Sequence, residues 1–290
     1  MKEAMLYQKL LDNKVRCNVC NHRCLIKEGF RGICGVRENV KGILYALNYG
    51  KTIAAAIDPI EKKPLYHFLP GTEIYSFATV GCNLRCGWCQ NWDISQNPKP
   101  MKPVIGENMT PEEHVRLALE NGCPSIAYTY SEPTIFLEYA LDTMKLARAK
   151  GLKNVWITNG YMTKETLDVI LPYLDAANVD YKGPDDSVYK TYCGAKSKPV
   201  MDNIKYMVDA GVHVEITTLI VPGVNDKPEQ IEQVAKTIFE VVGGKVPWHI
   251  SRFFPAWQMM DKPATPLDIL EKAKEIGSKY GIKFIHIGNV

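Results

Sequence analysis

This chain of 290 residues has no stretch near the roughly 18 uninterrupted apolar residues that cross a bilayer, which argues against a membrane-spanning role. Its first ten residues, Met-Lys-Glu-Ala-Met-Leu-Tyr-Gln-Lys-Leu, lack the apolar core and small-residue cleavage site of a secretion signal, so a cytoplasmic location is expected. Charge of one sign is also missing. Against 35 Lys and Arg stand 32 Asp and Glu, and a net charge of +3 gives no reason to expect nucleic acid or an anionic membrane as partner. No low-complexity stretch or hinge divides the chain. Apolar residues at 46% and charged residues at 23% are ordinary for a globular protein, which removes disorder as the default.

Cysteine, by contrast, is plentiful. There are nine, an odd number, and seven fall into two tight groups: Cys17, Cys20, Cys24 and Cys34, then Cys82, Cys86 and Cys89. A protein kept reduced seldom spends cysteines on disulfides. Thiols two or three residues apart are better placed to converge on one metal centre than to pair across a fold.

From about residue 74 a short apolar run, a turn and a longer amphipathic segment recur. The runs cover 75–80, 126–130, 154–158, 177–181, 214–221 and 248–253, and 283–287 closes the chain. Short, apolar and β-rich, they read as buried parallel strands. Helix signals lie between them. Thr110-Pro111-Glu112-Glu113 forms a capping box, Asp226 precedes Glu229 in the same register, Thr265-Pro266 opens a final helix, and Gly122, Gly151, Gly211 and Gly281 mark helix ends. Such alternation predicts an α/β fold with a parallel sheet, either doubly wound or a full or partial barrel, and places the chemistry at the carboxyl ends of the strands. Residues 1–73 break the pattern and read as an N-terminal Cys-rich, metal-binding subdomain ahead of the α/β unit, residues 74–290.

Gly81-Cys82-Asn83-Leu84-Arg85-Cys86-Gly87-Trp88-Cys89-Gln90-Asn91 follows the first of these strands. Three thiolates at this spacing can hold three corners of a 4Fe–4S cubane, which normally takes four. With no fourth cysteine nearby, one iron is left open, as a catalytic metal keeps a position for its substrate. A zinc site completed by a distant His or Cys is the alternative.

The C-x3-C-x-aromatic-C pattern at a strand end, with Trp88 as the aromatic, resembles the signature of the radical S-adenosylmethionine (SAM) superfamily. Cys89-Gln90-Asn91-Trp92-Asp93 is similar to the branch that holds the activating enzymes of glycyl-radical enzymes such as pyruvate formate-lyase. The wider pattern, from the Cys17 group through Asp58-Pro59-Ile60-Glu61-Lys62-Lys63-Pro64-Leu65 and His67 to Tyr128-Thr129-Tyr130-Ser131-Glu132-Pro133-Thr134, resembles the radical SAM member of the AmmeMemoRadiSam system. Relatives of that group commonly continue past a strand like 285–290 into a Cys-x-x-Cys tail, leaving a further metal site beyond this sequence open.

The resemblance implies a partial (β/α)6, TIM-like barrel with the cluster and SAM at its upper mouth. The open iron would be chelated by the amino and carboxylate groups of SAM, and one electron would split the sulfonium to give a 5′-deoxyadenosyl radical. Glu132 would then meet the SAM amino group, or else simply cap the helix that follows. Asn159 would bond a ribose hydroxyl, Lys182 would meet the methionyl carboxylate with Asp180 placing it, and Trp88 would cover the adenine or wall off the cluster. His249 and Arg252 are candidates for substrate contact. The implied partners are a ferredoxin- or flavodoxin-type reductant and a substrate that is either a partner protein or a small molecule.

Cys17, Cys20, Cys24 and Cys34, with His22 as a substitute ligand, could form a closed zinc site or hold an auxiliary 4Fe–4S cluster; spacing does not decide. Cys123 reads as a small buried residue, and Cys193 is placed near the active mouth. From another class, a non-catalytic iron–sulfur electron carrier or zinc-stapled interaction protein explains the cysteines but leaves Glu132, Asp180 and Lys182 without a purpose.

Overall fold

The computed structural model describes residues 1–98 and 102–290. Its centre is one eight-stranded sheet: β1 (Ala54–Pro59), β2 (Glu73–Ala78), β3 (Ser125–Tyr128), β4 (Lys153–Thr158), β5 (Ala176–Asp180), β6 (His213–Ile220), β7 (Trp248–Arg252) and β8 (Ile285–Gly288). β1 runs antiparallel to β2, and every later pairing is parallel. Each strand lies beside its neighbour in sequence. A doubly wound sheet reverses its order at a switch point; here there is no reversal, so right-handed crossovers send successive helices to the same face. The result is a partial barrel wall. The expected six strands are extended by β8 at one edge and by β1 at the other.

Among the described residues, six helices of seven residues or more stand outside the wall: α1 (Pro111–Glu120), α2 (Leu137–Ala149), α3 (Lys164–Ile170), α4 (Lys198–Asp209), α5 (Pro228–Val242) and α6 (Leu267–Lys279). Strand pleating sorts the side chains between the two faces. Ile126, Tyr128, Trp156, Val179, Ile216 and Ile250 join the helix-side core with Val115, Leu137 and Met144. Ala127, Val155 and Ala176 point the other way and join Ile60, Leu65 and Ile74 in a smaller interior core.

That interior core is the floor of the barrel, filled by residues 60–69. Glu215 on β6 pins this segment by accepting from the backbone N–H groups of Tyr66 (3.1 Å) and His67 (2.8 Å). His213 and His249 approach the same carboxylate at 3.0 and 2.6 Å. Burial alone would raise Glu215, but these bonds outweigh it and hold the carboxyl far below its usual range. The helix signals hold where their hydrogen bonds are local. Thr110 Oγ1 accepts from Glu113 N at 3.2 Å and Glu113 Oε2 accepts from Thr110 N at 2.6 Å. Gly122, Gly151, Gly211 and Gly281 all take positive φ.

The N-terminal residues form two small antiparallel sheets, one from Tyr7–Lys9, Val15–Cys17 and Leu25–Ile26, the other from Lys2–Glu3, Arg37–Val40 and Ile43–Ala46. They are fastened to α2 by Arg37, whose guanidinium donates to both oxygens of Glu138 at 3.0 and 2.6 Å, both side chains being buried. No helix among the described residues is long and apolar enough to cross a membrane.

Candidate functional site

At the carboxyl ends of the strands lies an open pocket lined by Cys82, Cys86 and Cys89 on one side and by Glu132, Asn159, Asp180 and Lys182 on the other. The cysteines sit on the loop after β2. Gly81 opens that loop with φ +102°, and a Cβ there would stand 2.8 Å from Cys34 O, so glycine alone permits both the turn and the close passage. The loop is then tied to the turn ahead of α4, Arg85 N donating to Cys193 O (2.9 Å) and Gly87 N to Tyr192 O (3.0 Å). Cys89 Sγ lies 3.1 Å from Ser95 Oγ.

Burial raises the Cys82 thiol well above its ordinary value, with the charge of Glu132 and the neighbouring sulfurs adding to the effect. Burial also raises Cys89. Cys86 differs: a hydrogen bond with Cys193 and the charge of Lys182 hold it below the usual thiol value. Metal binding to this set must therefore displace protons from Cys82 and Cys89.

Across the pocket, Glu132 is a buried knot. Its Oε1 accepts from Thr134 N (3.1 Å), Thr134 Oγ1 (2.6 Å) and Thr158 Oγ1 (2.7 Å), while Oε2 accepts from Asn159 N (2.8 Å). It does cap the turn after β3, and Oε2 retains accepting capacity toward the pocket. Asn159 donates through Nδ2 to Asn83 Oδ1 at 2.7 Å and lies 3.8 Å from Cys82 Sγ, so its amide is engaged in fixing the cysteine loop. Lys182 Nζ pairs with Asp180 Oδ2 at 2.9 Å. Burial would lower the lysine, but the charges of Asp180, Cys86 and Cys193 prevail and keep it protonated.

The family model for the radical SAM superfamily matches residues 77–238, which include every side chain just described. The chain belongs to this superfamily. An uncharacterized protein of Methanocaldococcus jannaschii is 48% identical over 290 residues, covering all of this chain and 86% of that one. The pyruvate formate-lyase-activating enzyme of Clostridium pasteurianum is 28% identical over 164 residues, 54% of this chain and 66% of that enzyme. Among solved structures, a radical SAM methyltransferase from Sphaerobacter thermophilus aligns with a TM-score of 0.59 at 16% identity, covering 77% of this chain and 68% of that one, a likeness of fold.

A radical SAM protein uses a 4Fe–4S cluster and SAM, and the residues present fit both. Three thiols share one pocket wall, Cys193 lies behind Cys86 and is not part of the pocket lining, and a protonated lysine faces them. Trp88 lines the pocket and also packs on Tyr192, ring centroids 6.0 Å apart. Cys123 is buried as expected.

His249 and Arg252 do not reach the mouth of this radical SAM site. His249 lies one layer down, bonded to Glu215 at 2.6 Å, and Arg252 Nε donates to Thr265 O at 2.9 Å. Ser251, on the same face as His249 but nearer the strand end, takes the pocket position. Sequence reasoning assigned no role to Lys63 and Tyr130, yet both line the pocket. Lys63 Nζ (2.8 Å) and Tyr130 OH (2.9 Å) both donate to Asp58 Oδ2. Burial acts against ionising Asp58, but these bonds outweigh it and bring its pKa down to about 2. Tyr130 adopts φ +61°, an uncommon conformation for an aromatic residue. The motif around Asp58 was visible in sequence; its contact with Tyr130, just past β3, was not.

Proposed function

We propose that Cys82, Cys86 and Cys89 hold the 4Fe–4S cluster and that the opposite wall binds SAM, so that the chain generates a radical on its substrate by hydrogen abstraction. When bound, the cluster would supply the single electron needed to split the C5′–S bond of SAM into methionine and a 5′-deoxyadenosyl radical. The observation that carries this reading is the convergence of three thiols, a protonated lysine and a buried glutamate on one pocket.

Each residue then has a task. Lys182, kept charged by Asp180, meets the carboxylate of SAM as a charge-assisted donor. Glu132 offers Oε2 to the SAM amino group. Asn159 holds Cys82 in place through Asn83, leaving the ribose to other groups. Trp88 supplies an apolar wall that excludes water from the reacting centre. The likeness to a pyruvate formate-lyase-activating enzyme favours a partner protein as substrate, with a ferredoxin- or flavodoxin-type donor as reductant in the cytoplasm.

Anaerobically reconstituted protein with dithionite and SAM should release 5′-deoxyadenosine, and a Cys86→Ala variant should release none. A wild-type protein that holds a reducible cluster at Cys82, Cys86 and Cys89 and leaves SAM intact with every donor would overturn the reading.

A further inference from the structure

Cys17, Cys20, Cys24 and Cys34 lie apart from the pocket just described. All four line one small cavity together with Val19, Ile26, Ile33, Ile135 and Arg37. A zinc ion draws four sulfurs to about 2.3 Å from a single centre and leaves no cavity between them. A cubane, by contrast, occupies the space between its thiolates. Among the described residues no three His, Cys, Asp or Glu side chains are grouped to hold a single metal ion.

The charge of the cavity points the same way. Arg37 is 2% exposed, and its Nε has no hydrogen-bond partner although both terminal nitrogens are taken by Glu138. A buried guanidinium with an idle donor beside four cysteines suits an anionic, sulfur-rich occupant, because leaving such a donor unpaired costs free energy.

The cavity also stands back to back with the first site. His22, between Cys20 and Cys24, places Nε2 2.7 Å from Asn83 O; a carbonyl only accepts, so this nitrogen donates. Asn83 is the neighbour of Cys82. Cys34 O is the atom that a Cβ on Gly81 would meet at 2.8 Å. The two cysteine sets are thus joined by one side chain and one hydrogen bond, and by direct backbone contact.

We propose that the four N-terminal thiols hold a second iron–sulfur cluster that relays electrons through the His22–Asn83 contact to the cluster in the SAM pocket. The relay half rests on the function proposed above; the cluster half does not. A one-electron donor of the ferredoxin or flavodoxin class reduces the N-terminal cluster from the 2+ to the 1+ state. That cluster returns to 2+ as the pocket cluster takes up the same electron, with no bond made or broken and no proton moved.

The first test uses the full chain with Cys82, Cys86 and Cys89 all changed to Ala, reconstituted anaerobically. About four irons and four sulfides per chain should remain, with an EPR signal on dithionite reduction. One zinc and no iron would overturn the cluster, whatever the SAM chemistry of the intact protein. The second uses His22→Phe, which keeps all seven thiols. With iron content equal to wild type, reduction of the pocket cluster by reduced flavodoxin, followed by freeze-quench EPR, should slow at least about ten-fold. An unchanged rate would overturn the relay. Failure of the wild-type protein to cleave SAM with dithionite would instead count against the pocket reading.

Discussion

Lys182 is buried against Asp180 and Cys86, and it stays protonated because its neighbours' charges exceed the cost of burial. Its ammonium is therefore a fixed cation facing the pocket. Lys182→Met should weaken SAM binding by about 10- to 100-fold, the worth of a charge-assisted hydrogen bond of roughly 1.5–3 kcal/mol. Isothermal titration of SAM into reconstituted protein measures this, and an unchanged affinity would remove Lys182 from the SAM site. Gly81 makes a second prediction at the same scale. Gly81→Ala places a methyl 2.8 Å from Cys34 O at φ +102°, so it should cost about 1–3 kcal/mol of backbone strain. Melting curves read the loss of stability, and iron content should fall with it, since the strained turn leads directly into Cys82. The cysteines themselves were legible because thiolate spacing is a local property. The bond from Tyr130 to Asp58 was not, because it joins residues 72 positions apart.

Elements were read well where their signals are short-range. The Thr110 capping box is present with both of its hydrogen bonds. The helix expected from Asp226 starts later, at Pro228, because Asp226 Oδ1 is spent on Gly223 N at 2.9 Å. Thr265 likewise leaves its helix end to bond Ile220 O and Phe253 N at 2.6 and 3.0 Å. α1 carries a less visible feature. His114 is fully buried, 3.8 Å centroid to centroid from Phe77, with Tyr139 OH 2.6 Å from Nε2 and Tyr75 OH 2.9 Å from Nδ1. Burial lowers its pKa from 6.5 to about 3. A depressed folded pKa means the unfolded chain binds the extra proton first. The stabilisation is complete above pH 6.5 and declines as pH falls toward 3. Stability of the metal-free protein should drop by about 2 kcal/mol between pH 7 and pH 5 on this account. His114→Gln keeps a polar side chain without the titration and should flatten that slope in urea melts. An equal slope in both proteins would assign the pH dependence elsewhere.

At the scale of the whole molecule, Arg37 and Glu138 decide how the Cys17 group sits on the barrel. Their pair is buried on both sides, and Glu138 Oε1 also accepts from Met5 N at 2.7 Å. Glu138→Ala would strand a guanidinium in the interior, which costs roughly 3–5 kcal/mol. Limited proteolysis should then cut residues 1–50 before the barrel, while the melting temperature of the intact chain falls. Equal protease resistance would show that the two small N-terminal sheets are held by other contacts.

Sequence alone determined the three-thiol and four-thiol groups, the strand–helix alternation and the strand ends at Glu132, Asn159 and Lys182, because each depends on residues within a few positions of one another. The choice of barrel over doubly wound sheet was made by the tertiary structure, through strand pairing that periodicity does not encode. So was the fate of His249, sent by the pleat to the layer of Glu215 while Ser251 took the pocket position. The back-to-back placement of the two cysteine groups is likewise a tertiary fact: it depends on how Cys34 packs against Gly81 and His22 against Asn83, contacts spanning 47 and 61 positions in the chain.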